Sequence, residues 1–124
     1  MQQKDLLAVG AAYLDINCPD FPLGAGLRPD TEVVGGGYIL AAGGSVVNFA
    51  RLCASLGLSS TLVAKVGSDA VGQLLMRLLG ESGVIPELIV DEQSMTNISM
   101  NLSDDNGKSI MAVVGNANES LGLA

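Results

Sequence analysis

Gly43, Gly44 and Asn48 are the residues whose types and spacing best suit ligand binding, and they lie together in AAGGSVVNFA, residues 41–50. The stretch ends a predicted strand and opens a predicted helix. Because glycine has no Cβ, a ligand can approach the backbone there, and the first-turn amides of the helix are free donors. Asn48 lies one turn further on and can face the same opening. The pattern alone favours a plain tight turn with a solvated asparagine over a binding site.

Asp15 is the second candidate, a carboxylate that follows the predicted first strand, Leu6–Val9. In open parallel sheets, ligands gather beyond the carboxyl ends of the strands. A carboxylate at that edge can accept hydrogen bonds from two adjacent hydroxyl groups of a ligand. An aspartate that serves only a loop or a helix cap is an equally good interpretation of the residue by itself.

The composition excludes several classes of site. The chain has no His and only two cysteines, Cys18 and Cys53, so it cannot build a tetrahedral zinc site or a Ser–His or Cys–His nucleophile pair. Thirteen acidic residues against six basic ones give a net charge of −7, which argues against nucleic acid or an anionic membrane as partner. Cys53 fits an apolar helix position, and Cys18 is assigned no role.

The sequence also restricts where the protein is expected to reside in the cell and how it could bind a phosphate group. The N-terminal MQQKDLLAVG has no signal-peptide pattern, and glycines interrupt the uncharged residues 33–50, so we expect a cytoplasmic protein with reduced cysteines and no membrane span. The glycine pair lacks the Lys–Ser/Thr ending of a P-loop, and no G-x-G-x-x-G follows the first strand. A nucleotide-binding Rossmann module is therefore a weak alternative.

The elements that must position these residues follow a strand–helix–strand–helix–strand order. This order predicts an α/β fold with a Rossmann-like parallel sheet and helical crossovers. In the first helix, we expect Val46, Phe49, Ala50 and Cys53 to face the core. The segments are a strand at Leu6–Val9, a helix from Ser45 to Leu56, a strand at Thr61–Val66, a helix from Asp69 to Gly83 and a strand at Glu87–Val90.

Two further regions predict smaller β-structure. Residues 17–30 indicate an irregular loop, and Thr31–Val34 with Tyr38–Ala41 suggest a hairpin turned by three glycines. Ile98–Leu102 and Ile110–Val114 predict a second hairpin, joined by the Asp-Asp-Asn-Gly turn at residues 104–107. Three N-x-S triplets, which begin at Asn97, Asn101 and Asn118, are interpreted as accidents of composition.

Four segments, in order and with preserved spacing, resemble the ribokinase-like (PfkB-type) carbohydrate kinases over nearly the whole chain. They are the first-strand motif from Gly10 to Asp15, the lid hairpin leading into G-G-x-x-x-N-x-A at Gly43, Gly44, Asn48 and Ala50, the V-G-x-D-x-x-G block at Val66, Gly67, Asp69 and Gly72, and the returning lid strands. On the residues alone, the V-G-x-D-x-x-G block is interpreted as structural, with Asp69 capping the second helix.

The resemblance implies a kinase that transfers the γ-phosphoryl group of ATP, with Mg²⁺, to a hydroxyl of a sugar or nucleoside. It implies that Asp15 accepts hydrogen bonds from substrate hydroxyls, that Gly43 and Gly44 admit the substrate, and that Asn48 bonds another hydroxyl. Residues 17–41 and 94–114 would form a β-lid that closes over the substrate. A homodimer through that lid is a further implication.

The chain departs from the family pattern in two ways, which affect the expected substrate and the expected catalytic activity. Ser45 replaces the Lys that often follows the glycine pair in ribokinases, which leaves other sugars and nucleosides open. We expect this chain to lack both the family's G-A-G-D segment, which supplies the catalytic base and anion hole, and the N-x-x-E motif associated with the metal and phosphates. We therefore expect residues 1–124 to be one N-terminal substrate-binding and lid portion of an incomplete ribokinase-like fold. We expect this portion to contain no catalytic residue and no metal site, and to bind neither ATP nor Mg²⁺ tightly.

An alternative from another class is a sugar- or nucleoside-binding module, or an inactive interaction protein, that has lost the catalytic half. It would bind a hydroxylated ligand without turning over ATP.

Overall fold

The computed structural model describes residues 5–24 and 26–121, and the part of the signal-peptide expectation that concerns Met1–Lys4 lies outside the described residues. The described elements form two sheets with two α-helices against them. They are, in order, β1 Leu6–Val9, β2 Tyr13–Cys18, β3 Ile39–Gly43, α1 Ser45–Ser55, β4 Ser60–Gly67, α2 Ala70–Glu81, β5 Ile85–Asp91, β6 Ile98–Ser103, β7 Ser109–Val114 and a short 3₁₀ helix, Ala117–Ser120.

The first sheet is parallel, with strand order β1-β4-β5, as the strand–helix alternation predicts. Both helices pack on one face of it, because their buried side chains belong to the same apolar cluster as alternate residues of β4. Leu62, Ala64 and Val66 supply that face of β4, and Val47 of α1 and Leu75 of α2 cover it. The predicted parallel α/β core is therefore confirmed.

The helix boundaries follow from local chemistry. Asp69 caps α2, since its side chain accepts a hydrogen bond from the backbone N–H of Gly72. Gly57 and Gly83 lie just after the two helices with φ of +89° and +85°, conformations that favour glycine at a helix end. These three residues confirm the predicted cap and stops.

The inward face of α1 differs from the prediction. Ala50 and Cys53 are buried as predicted, and Val46 is partly buried against the core, but Val47 is fully buried and Phe49 is 53% exposed. The helix begins at Ser45, directly after the strand, and this start turns the row of residues 47, 50 and 53 toward the sheet. Phe49, the largest of the predicted side chains, is therefore beside the buried row and not in it.

The second sheet has strand order β3-β2-β6-β7, in which β2 and β6 are parallel and the outer pairs are antiparallel. The predicted hairpin of Thr31–Val34 with Tyr38–Ala41 is wrong, because residues 31–34 form no strand and β3 pairs with β2 instead. Residues 17 and 18, expected in a loop, complete β2. Every residue of Tyr13–Cys18 is buried or half-buried, whereas Thr31–Val34 is mostly exposed to solvent.

The β6–β7 hairpin is confirmed. The Asp104 carboxylate accepts hydrogen bonds from the backbone N–H groups of Asn106 and Lys108, both at 2.9 Å, and Gly107 takes a φ of +81°. Over the described ranges 5–24 and 26–121, the structure contains no helix with the length and apolarity needed to cross a membrane.

Candidate functional site

Asp15 lies in the middle of β2, not in a loop after β1. The chain leaves the first sheet after Val9 and starts a new strand at Tyr13, so the carboxylate belongs to the four-stranded sheet. There it pairs in register with Ala41 of β3 on one side and Ser99 of β6 on the other. The expected position beyond the carboxyl end of a parallel strand is corrected accordingly.

Gly43 is required by the Asp15 carboxylate. A Cβ built on Gly43 would overlap the side-chain oxygens and Cγ of Asp15, so the carboxylate occupies the space that any other residue would need. Gly43 is the last residue of β3 and is buried. The first glycine of the pair thus brings Asp15 close to the strand–helix junction.

Gly44 is required by its own backbone. Its φ of +110° and ψ of 150° fall in a region that is essentially restricted to glycine. A Cβ at this position would also lie 2.7 Å from the carbonyl oxygen of Ala11. Gly44 is the N-cap of α1 and offers no side-chain acceptor, which leaves the amides of the first turn without a capping partner from that residue.

Asp15 and Gly44 open onto a pocket of about 270 Å³. The pocket combines one carboxylate with neutral polar and apolar groups and includes no basic side chain among the described residues. Burial raises the pKa of the Asp15 carboxyl above its ordinary value. A carboxylate without a cationic partner suits neutral hydroxyl donors as ligands. The pocket is lined by Tyr13, Asp15, Gly44, Ser99, Asn101, Met111 and Val113.

The structure does not bring Asn48 into this pocket. Its backbone N–H donates to the Gly44 carbonyl at 2.9 Å, while the residue is exposed on α1. Asn48 instead lines a neighbouring depression with Arg51, Leu52, Ser55 and Ser82. Arg51 is held there by a 3.1 Å hydrogen bond to the Ala42 carbonyl. In the described geometry, Asp15, Gly43 and Gly44 converge and Asn48 lies apart.

Two asparagines that the sequence did not single out as site residues fix the segment leading to Asp15. The Asn118 side chain bonds both the N–H and the C=O of Ala12, at 3.2 and 3.1 Å. Asn97 is buried and accepts from the Asn118 backbone N–H at 2.9 Å. In the sequence, these two asparagines stood out only as the first residues of N-x-S triplets. In the structure, they form internal hydrogen bonds.

The V-G-x-D-x-x-G block is structural, as predicted. Its Asp69 has a second partner, Thr96, that the sequence did not indicate. Asp69 accepts hydrogen bonds from the N–H and the hydroxyl of Thr96, at 3.0 and 2.7 Å, besides the cap to Gly72. The Thr96 hydroxyl oxygen in turn accepts from the Gly67 N–H at 2.9 Å. This network connects the start of α2 to the segment that leads into β6.

One string with N-x-x-E spacing does occur, at Asn116–Glu119, contrary to the expectation that the chain lacks it. The structure gives it a packing role: the Asn116 side chain accepts from the Met95 N–H at 2.8 Å, and the next residues form the short 3₁₀ helix. Across residues 5–24 and 26–121, no three metal-ligating acidic, Cys or His side chains cluster.

We predict that substitution by alanine has different effects on stability at Gly43 and at Gly44. Gly44→Ala should lower the free energy of unfolding by about 1–3 kcal/mol, because it meets both backbone strain and the Ala11 carbonyl. Gly43→Ala should cost clearly less, because the Asp15 side chain can rotate away. Urea denaturation of both variants measures this. Equal destabilisation would show that the Asp15 carboxylate is not free to move.

Comparison with protein families matches residues 3–123 to the pfkB family carbohydrate kinase model. The chain is 34% identical over 110 residues to a nucleoside kinase of Methanothermobacter thermautotrophicus, covering 85% of this chain and 34% of that protein. It is also 39% identical over 57 residues to a D-beta-D-heptose 7-phosphate kinase of Bordetella bronchiseptica, covering 46% of this chain and 18% of that protein. The chain thus spans about a third of the length of the nucleoside kinase.

Among solved structures, the ribokinase of Arabidopsis thaliana complexed with ribose and ATP superposes with a TM-score of 0.78 at 25% identity. The match covers 94% of this chain and 38% of the ribokinase. The predicted ribokinase-like α/β fold is therefore confirmed for the part that this chain supplies.

Proposed function

Because the chain belongs to the pfkB family of carbohydrate kinases, we propose that it is the substrate-binding portion of an enzyme that phosphorylates a hydroxyl of a sugar or nucleoside with ATP. The observation that carries the proposal is the Asp15 carboxylate, which lies against Gly43 in a pocket with no basic side chain among the described residues. A carboxylate in that setting has its oxygens available for neutral hydroxyl groups.

The proposed roles follow from the geometry of the strand–helix junction. Asp15 accepts hydrogen bonds from two substrate hydroxyls, which are stronger than neutral bonds because the acceptor is charged. Gly43 leaves room for that carboxylate, and Gly44 exposes the amides of the first turn of α1. The four-stranded sheet acts as the lid that covers the substrate and excludes water, which strengthens these bonds.

Asn48 is proposed as a second hydroxyl ligand that engages only when the substrate and the rest of the enzyme are in place. In support, it lies one turn from Gly44 on the same helix and its side chain is exposed. Asn48→Ala in the complete kinase should raise KM about tenfold, the effect of one lost neutral hydrogen bond, with stability unchanged. Steady-state kinetics test this, with the exposed Asn106→Ala as the matched control. An unchanged KM would remove Asn48 from the site.

The chemistry of phosphoryl transfer is proposed to lie in the other part of the kinase. ATP and Mg²⁺ would be held there, and the 124-residue chain by itself should show no ATP turnover. The matched relative, of which this chain covers 34%, supports a division of this kind. The alternative, a module that binds sugars or nucleosides without catalysis, is favoured if the complete protein also binds ligand but releases no ADP.

A homodimer through the four-stranded sheet is proposed as well. The face opposite Asp15 carries three partly exposed apolar side chains, Leu40 on β3, Met100 on β6 and Ile110 on β7. The β7 edge is paired on one side only among the described strands. Sedimentation of the complete protein would test this contact.

The cytoplasm is the proposed location of the protein. In support, Cys18 and Cys53 are both free thiols.

The function is tested by ADP release from the complete kinase with a panel of pentoses, hexoses and nucleosides. We expect release that depends on one group of these compounds, and none from the 124-residue chain. ADP release that no hydroxylated compound stimulates would reject the kinase assignment. Sugar-dependent release by the 124-residue chain would instead reject the proposed division of the catalytic residues.

A further inference from the structure

The β6–β7 turn contains the one asparagine of the chain that is followed by glycine, Asn106 before Gly107. In this pairing the backbone nitrogen of the glycine can attack the asparagine side chain, because glycine has no Cβ to hinder the approach. Both residues are exposed, and a Cβ built on Gly107 would meet nothing within 4 Å apart from its chain neighbours. Solvent therefore reaches both the side-chain amide and the backbone nitrogen that would react with it.

The hydrogen bonds of the turn restrain the reacting groups only weakly. The Asp104 carboxylate accepts from the backbone N–H groups of Asn106 and Lys108, both at 2.9 Å. The Gly107 N–H instead donates to the Asp104 carbonyl at 3.4 Å, which is longer than an ordinary N–H···O bond. Among the described residues, the Asn106 side chain has no hydrogen-bonding partner. The attacking nitrogen and the side-chain amide are thus the least restrained groups of the turn.

The other asparagines lack this combination. Asn48 is also exposed, but it lies in α1, where the next backbone amide belongs to a helical hydrogen bond. The Asn116 side chain accepts from the Met95 N–H, and the N–H that follows, of Ala117, donates to the Met95 carbonyl at 3.0 Å. Asn106 is therefore distinguished by its surroundings as well as by its glycine neighbour. The remaining asparagine side chains are all held by hydrogen bonds, those of Asn17, Asn97, Asn101 and Asn118.

We propose that Asn106 is a site of spontaneous deamidation, in which the Gly107 nitrogen closes a succinimide ring that water opens to aspartate or isoaspartate. The Gly107 nitrogen bonds to the Asn106 Cγ, the Cγ–Nδ2 bond breaks, and Nδ2 leaves as ammonia with the proton that the Gly107 nitrogen loses. Water then adds to one of the two ring carbonyls and breaks its bond to the nitrogen. The net change converts one amide and one water to one carboxylic acid and one ammonia. The reaction requires no kinase activity, so its outcome is independent of the proposed function.

The products change the turn in charge and in length. Both place a carboxylate at position 106, directly after Asp104 and Asp105. The pKa of Asp105 is already above its ordinary value, because its carboxyl hydrogen-bonds to Asp20 and is repelled by the neighbouring carboxylates. In isoaspartate the main chain passes through Cβ, which adds one backbone atom between the two N–H groups that the Asp104 carboxylate holds. Modification should therefore weaken the turn that closes the β6–β7 hairpin.

The test is incubation of the complete kinase in its folded state, at neutral and at mildly alkaline pH. Proteolytic peptide mapping by mass spectrometry then distinguishes asparagine, aspartate and isoaspartate at each position. Asn106 should lose its amide while the exposed Asn48, the internal control, keeps it. The rate should rise about tenfold per pH unit, because the population of the deprotonated Gly107 amide grows by that factor below its pKa. Equal retention of the amide at both positions, or a rate that does not change with pH, would overturn the proposal.

A comparison in urea separates the chemistry of the Asn-Gly pair from the geometry of the turn. If Asn106 reacts in urea but not in the folded kinase, the turn blocks ring closure and the proposal is wrong. Gly107→Ala should slow the loss of the amide in urea, where its strain at the native φ of +81° plays no part. An unchanged rate in that variant, or aspartate without isoaspartate as the product, would show direct hydrolysis of the side chain and contradict the succinimide route.

Discussion

Asp15→Asn in the complete kinase should lower kcat/KM by about 100-fold, through loss of the charged acceptor for substrate hydroxyls. Hydrogen bonds to a charged group are worth roughly 1.5–3 kcal/mol, and the amide keeps only one acceptor oxygen of the two. The change preserves side-chain size, so the fit against Gly43 is kept. The exposed Asp30→Asn, at a φ of +56° that asparagine tolerates, is the matched control and should leave kcat/KM unchanged.

The same substitution should not weaken the fold. Burial raises the pKa of Asp15, so the folded chain binds a proton more tightly than the unfolded chain does. The ionised carboxylate therefore costs stability at neutral pH, and this cost disappears as the pH falls below the ordinary aspartate range. Asp15→Asn should accordingly keep or raise the unfolding midpoint at pH 7. A variant that loses both activity and stability would show that Asp15 has a structural role instead.

Asp69→Ala should produce the largest loss of stability, about 2–4 kcal/mol at neutral pH. The variant loses a helix cap worth about 1 kcal/mol and two further hydrogen bonds from Thr96, and it leaves the Thr96 N–H without its acceptor. Chemical denaturation of the 124-residue chain measures the change. Asp105→Ala, the same change in the exposed β6–β7 turn, is the control and should be neutral or slightly stabilising, because repulsion from Asp20 is relieved.

The Asp69 network should also make the fold sensitive to acid. Partial burial pushes the pKa of Asp69 upward, but the hydrogen bonds from Thr96 and Gly72 outweigh it, and the pKa lies below its ordinary value. The stabilisation is therefore complete above the ordinary aspartate range and is lost as the pH falls through the lowered pKa. The stability difference between wild type and Asp69→Ala should shrink over that range. A constant difference down to low pH would contradict the role of the ionised carboxylate.

The parts of the fold that depend on local chemistry were predictable. The Asp69 cap, the glycine stops at Gly57 and Gly83 and the turn at residues 104–107 each follow from one residue type in one backbone conformation. Strand pairing was harder to predict than these local features, because it depends on partners that are distant in the chain. Tyr13–Cys18 pairs with Ile39–Gly43 and Ile98–Ser103, and no local signal announces either partner.

The site was predictable in its residues but not in its geometry. Asp15 and the glycine pair were singled out by motif spacing, yet the overlap of a Gly43 Cβ with the Asp15 carboxylate depends on the register of β2 with β3. The hydrogen bond between the Asn17 and Asn101 side chains required the parallel pairing of β2 with β6, across 84 residues of chain. Thr96 and Asn118 likewise act through contacts that only the fold creates.

The central claim is that the Asp15 carboxylate binds a substrate hydroxyl. The most direct measurement is a binding cycle in the complete kinase, with wild type and Asp15→Asn each titrated calorimetrically against the best substrate and its analogues lacking one hydroxyl. For the hydroxyl that Asp15 holds, its removal should weaken wild-type binding by about tenfold or more and should change binding to Asp15→Asn by less than about twofold. If every hydroxyl contributes equally to binding by both proteins, Asp15 does not contact the substrate and the account is wrong.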